Sequence, residues 1–139
     1  MNYFGKLMIF FAAATFSHAY AQDAQDVAKA TQAAAAWLNL TDTQQYGPSY
    51  AGTAPAFRQA ITQPDWEQAL QAVRTPLGEL KHRSVKSATY AKDLPGAPRG
   101  EYVIIVYDSA FANRAGAVET VTPMRDTDGS WKVSGYFVR

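Results

Sequence analysis

The sequence predicts an α+β fold, with N-terminal helices packed on a C-terminal antiparallel four-stranded meander. Composition changes near residue 80: Ala and Gln dominate before it, Val, Ile, Thr and Tyr after it. These are the residues of helices and of strands respectively. Helices and strands gathered into separate runs, rather than alternating, mark α+β. The second half also divides into four apolar segments parted by short loops rich in Gly, Pro, Asn and Asp, which is the punctuation of hairpins.

The first helix is expected over Asp26 to Thr41. Val27, Ala30, Ala34, Trp37, Leu38 and Thr41 recur at spacings of three and four, so they share one face. The small alanines let that face lie close to a sheet, with Trp37 as its large anchor. Gly47-Pro48 and Gly52 break the pattern, which leaves Tyr46 and Tyr50 on a short helix or turn. Another short helix fits Pro55 to Ile61.

Thr62-Gln63-Pro64-Asp65 carries the clearest helix start, a capping box with proline in the first turn. Trp66, Leu70 and Val73 then make an inward face, and Pro76 and Gly78 end the helix. Strands follow at about Leu80 to Tyr90, Glu101 to Phe111, Ala117 to Met124 and Trp131 to Val138. Loops at Asp93 to Pro98, Asn113 to Gly116 and Asp126 to Gly129 join them, with Gly129 suited to a positive φ.

In the second strand both alternating faces are apolar. Val103, Ile105 and Tyr107 point one way; Tyr102, Ile104 and Val106 point the other. A sheet with one wet face alternates apolar with polar. The far face therefore calls for a wrapping helix, a dimer partner or an apolar pocket. In the last strand, strict alternation puts Trp131 and Phe137 on one face and Tyr136 on the other.

The first 21 residues read as an export leader. Lys6 is followed by the apolar run Leu7 to Phe16, then by the small-x-small site Ala19-Tyr20-Ala21 before polar Gln22. The run is well short of the roughly 20 residues that a membrane-spanning helix needs. Cleavage after Ala21 leaves 118 residues, residues 22–139, as a single α+β domain, free in the periplasm or secreted. That length buries enough surface to fold without metal or disulfide. The chain has no cysteine, which excludes disulfides, thiolate catalysis and a lipoprotein anchor.

The mature chain is near neutral, whereas nucleic-acid binders carry a basic excess on one face. Lys81, His82, Arg83, Lys86 and Lys92 do cluster, in a pattern that suits a solvated edge strand. Nucleic acid is not an expected partner, nor is a membrane after cleavage.

Several motifs resemble a known family. They are Arg74-x-Pro76-Leu77-Gly78, Pro95-Gly96-Ala97-Pro98-x-Gly100-Glu101-Tyr102-Val103, Glu119-Thr120-Val121-Thr122-Pro123-Met124, and Asp128-Gly129-x-Trp131-x-Val133-x-Gly135-Tyr136-x-x-Arg139. In this order they are similar to the bacterial domain-of-unknown-function family 4019, from about Ala30 to the end. The resemblance implies a small exported protein without an assigned activity. It also implies a cone-shaped, cystatin-like fold like that of nuclear transport factor 2 and the SnoaL-like polyketide cyclases. It carries no catalytic residue to this chain.

The residues themselves offer few sites. His82 is the sole histidine beyond the leader, so a histidine-rich zinc site lacks ligands. Asp126-x-Asp128-Gly129 glances at a calcium loop, yet Met124 and Gly135 would occupy positions that need acidic ligands. No phosphate-binding loop or nucleophile elbow occurs. No cofactor or metal is expected.

Asp108 and Glu119 sit in or beside apolar strands. A carboxylate pushed into an apolar pocket has a raised pKa and can act as an acid or base. The competing reading pairs Glu119 across the sheet with Arg83, Arg114 or another strand cation. A pocket formed by Tyr102, Glu119, Tyr136 and Asp108 is thus the candidate ligand site. Three functions follow: a non-catalytic module binding a small apolar ligand or a protein, an acid–base enzyme of the SnoaL-like type, or a structural homodimer.

Overall fold

The computed structural model describes the backbone of residues 15–139 and the side chains from residue 20. Four helices, α1 (Thr15–Asp42), α2 (Tyr46–Ala51), α3 (Pro55–Ala60) and α4 (Gln63–Leu77), precede four strands. These are β1 (Leu80–Lys92), β2 (Glu101–Phe111), β3 (Arg114–Arg125) and β4 (Trp131–Val138). The strands form one antiparallel sheet in chain order. The α+β meander expected from composition is the observed architecture.

Residues 1–14 of the leader lie outside the described residues, and Thr15 to Ala21 are the opening turns of α1. Among the described side chains the core begins at Asp26 and Val27, followed by Ala30, Ala34, Trp37 and Leu38. The stripe expected on the first helix is therefore the buried one. Among the described residues no helix is long and apolar enough to cross a membrane.

Trp37 and Trp66 meet at 6.0 Å, and both indole N–H groups are satisfied at one buried residue of α2. Trp37 donates to the Ser49 carbonyl at 2.9 Å and Trp66 to the Ser49 hydroxyl at 3.1 Å. By accepting from both indoles, Ser49 ties α1, α2 and α4 together. At α4 the Thr62 hydroxyl takes the Asp65 N–H at 3.4 Å and donates to its carboxylate at 2.7 Å.

The inward face of α4 is Trp66, Leu70, Arg74 and Leu77. Val73, expected inside, is 43% exposed at the rim. Gly78 closes the helix at φ +75, where a Cβ would lie 3.0 Å from Asn113 Nδ2.

β1 and β3 run past their expected ends, to Lys92 and from Arg114. Pro123 lies within β3 although proline cannot donate to a ladder, and the β2–β3 pairing skips from Met124 to Val121 around it. Ile104 and Val106 on the far face are half-buried between hydroxyl-bearing neighbours, Thr89 beside the first and Ser87 and Thr120 beside the second. That short stretch is shielded by β-branched and small neighbours, so it calls for no wrapping helix.

Strict alternation fails in β4. Pairing jumps from Thr122↔Gly135 to Pro123↔Val133, so Ser134 is an extra residue. A bulge of this kind shifts the side-chain period by one. Trp131, Val133 and Tyr136 consequently all face the helices, and Phe137 turns outward, 57% exposed. This corrects the expected sharing of a face by Trp131 and Phe137.

Candidate functional site

The inner sheet face carries a polar cluster inside an apolar core. Alternation along β3 sends Ala117, Glu119, Val121 and Pro123 inward, and Glu119 is fully buried. Four hydrogen bonds reach its two oxygens. Arg83 donates from Nε to Oε1 at 2.7 Å and from Nη2 to Oε2 at 3.1 Å. The Ser109 hydroxyl donates to Oε1 at 2.5 Å and the Tyr136 hydroxyl to Oε2 at 2.5 Å.

Arg83 is shared with a second carboxylate. Its Nη1 and Nη2 meet Asp42 at 2.7 and 2.9 Å. Arg74 in turn donates to Asp42 at 2.7 Å and to the Thr41 hydroxyl at 2.9 Å, and its guanidinium lies 5.0 Å from the centre of the Phe111 ring. Asp42 ends α1, where the helix dipole disfavours a carboxylate. Two arginines offset that cost, and the cluster of Asp42, Glu119, Arg74 and Arg83 is neutral as a whole.

The ionisation of the cluster follows from these contacts. Burial disfavours the Asp42 anion, yet hydrogen bonds from Arg83 and Arg74, with their charges, hold its carboxyl below the ordinary range. Burial first, then the Glu119 charge and hydrogen bond, push the Tyr136 phenol far above its usual value. Burial opposes the Arg83 cation, but Asp42 and Glu119 more than restore it. Asp42 is thus held as the anion and Arg83 as the cation at neutral pH, and the Tyr136 phenol stays protonated. The Tyr107 hydroxyl and Arg74 Nε are buried without a hydrogen-bond partner among the described residues.

Of the four candidate pocket residues, the structure brings together Glu119 and Tyr136. Tyr102 and Asp108 fall on the opposite face of β2. Tyr102 is buried under the 94–98 turn, with its hydroxyl donating to the Pro98 carbonyl at 2.5 Å. Asp108 is exposed beside Ser84 and Val118. The reason is parity: even-numbered residues of β2 point away from the helices.

Arg74, Asp42 and Ser109 escaped the sequence reading. Arg74 had a signal, a cation four residues after Leu70 on the buried stripe of α4, and Asp42 had one as an acid at a helix C-terminus. Exposed His82 stays on β1. Asp126 and Asp128 are engaged by Lys132 and Ser130 within their turn, Lys132 reaching Asp126 at 2.6 Å. Among the described residues no three metal-ligating side chains gather.

Two openings lie beside this core. A polar cleft of about 280 Å³, lined by Asp42, Gln44, Tyr46, Gln71 and Arg74, opens where α1 and α4 end. An apolar groove of about 210 Å³ runs between α4 and β4, lined by Trp66, Leu70, Val73, Tyr136, Phe137 and Val138.

A family described as a protein of unknown function, DUF4019, matches residues 33–136, and the chain belongs to it. No curated protein and no solved structure matches the chain.

Proposed function

We propose that this is an exported, non-catalytic binding module, free in the periplasm or secreted after cleavage following Ala21, which holds a protein strand along β4. The observation that carries it is the coincidence of the apolar groove with the unpaired edge of that strand. Arg139 and Val118 exchange both backbone bonds, at 2.9 and 3.0 Å. By antiparallel alternation Phe137 also bonds toward β3, while the N–H and C=O of Tyr136 and Val138 point away from it. A small ligand would use the apolar wall alone; an extended polypeptide uses both the wall and the backbone groups.

The non-catalytic part rests on Glu119. Its oxygens already accept four hydrogen bonds, two of them from an arginine. A general base must reach the proton that it removes, and this carboxylate has no open side.

The test is an NMR titration with a synthetic peptide of alternating Thr and Val. The expected result is that the Tyr136 and Val138 amides shift and exchange more slowly, and that Val73→Asp weakens the effect. Amides that stay unmoved at saturating peptide would overturn the strand-binding reading.

A further inference from the structure

The two edges of the sheet are unlike. β1 carries Lys81, His82, Lys86 and Lys92, with two register irregularities, which are devices that discourage strand pairing. β4 has no charge between Lys132 and Arg139 and exposes Phe137 there. Its first half is closed by the bulge and by the bridge from Thr53 to Val133, where the Ala54 N–H meets the Val133 carbonyl at 2.8 Å. Tyr136 to Val138 remain open, flanked on α4 by exposed Ala69 and Val73, one turn apart.

We infer that the strand held by this edge is β4 of a second copy of the chain, joined antiparallel about a two-fold axis at Phe137. This rests on the strand-binding reading above and names its partner.

Register selects the arrangement. Tyr136 and Val138 are the residues whose backbone groups face outward, so a symmetric antiparallel pair satisfies all of them when Tyr136 meets the partner's Val138 and Val138 meets the partner's Tyr136. That register places Phe137 opposite its own copy in a non-hydrogen-bonded pair, where side chains approach most closely. Two exposed rings then cover each other on the outer face. Arg139 falls opposite the partner's Gly135 and Lys132 lies beyond the paired segment, so no like charges are opposed. Contacts that map the same patch onto itself are what a closed dimer requires. The exposed Ala69 and Val73 of each α4 flank the same axis on the inner face.

Phe137→Cys tests the geometry directly, because the chain has no cysteine. Non-hydrogen-bonded cross-strand positions lie within the range that a disulfide spans. The purified variant should form a covalent dimer under mild oxidation much faster than Ser84→Cys, on exposed β1, which sets the collision background. Wild type should show a concentration-dependent monomer–dimer equilibrium by sedimentation. Phe137→Lys, which opposes two like charges on the axis, should weaken association about tenfold or more while circular dichroism stays unchanged.

A wild type that remains monomeric at high concentration, with Phe137→Cys linking no faster than the background, would overturn the second-copy assignment. If the Thr–Val peptide still moved the Tyr136 and Val138 amides, strand binding would stand with a foreign partner. If it did not, both readings would fall.

Discussion

At the scale of single residues, the buried cluster sets the sharpest expectations. All four contacts to Glu119 are donors, so Glu119→Gln replaces one acceptor oxygen with an NH2 that only donates and leaves Arg83 short of an anion. Removing one partner of a buried pair costs about 3–5 kcal/mol, far more than the 1 kcal/mol or less of a surface pair. Glu119→Gln should lower the urea midpoint accordingly at neutral pH, and an unchanged midpoint would show that the pair contributes nothing. Asp42 contributes to acid sensitivity. Its folded pKa lies below the unfolded one, so its contribution is complete above the unfolded value of about 3.9 and is lost as pH falls through the folded value. Wild type should therefore lose stability below about pH 4 by an increment that Asp42→Asn lacks. The sequence made Glu119 and its partner Arg83 legible, but not the second arginine. Arg74 lies in the apolar stripe of α4, and only the fold shows that α1 delivers Asp42 to it.

At the scale of elements, periodicity located the helices and strands because each has one buried face. It failed where the period itself changes. Nothing in Trp131 to Val138 announces that Ser134 is extra, since a bulge belongs to the pairing of two strands rather than to one strand's sequence. Trp131 lies before the bulge and faces the core: it is 7% exposed, and Arg125 stacks on its ring at 5.9 Å. Trp131→Ala should destabilise the fold by about 3–5 kcal/mol in urea titration. Phe137, beyond the bulge, should tolerate Ala at a cost of about 0.5 kcal/mol or less in the monomer, as exposed positions do. Equal losses at the two sites would mean that the bulge is misplaced. Val73 slipped from the expected inner face for a related reason. The 3.6-residue period admits either Val73 or Arg74 after Leu70, and hydropathy alone chooses the valine, whereas the carboxylate of Asp42 chooses the arginine.

At the scale of the whole molecule, the export reading and the fold meet in α1. The proposed cleavage point, Ala21–Gln22, falls inside that helix, so a mature chain would begin partway along it. The side chains argue that nothing essential is lost. Among the described side chains the first buried residue is Asp26, which Arg125 of β3 meets at 3.3 Å, and Val27 is the first apolar one packed on the core. A chain starting at Gln22 would keep both. It would also place Asp23 and Asp26 near the new helix N-terminus, where the dipole favours acidic groups. Intact-mass analysis of protein from the periplasm should thus give a chain beginning at Gln22, folded with the same urea midpoint as a chain that retains residues 15–21. A further truncation to start at Ala28 removes Asp26 and Val27 and should lower the midpoint clearly. Recovery of the uncleaved chain from the membrane fraction would defeat the export-and-release proposal, and an equally stable chain starting at Ala28 would show that α1 joins the core later than its buried face indicates.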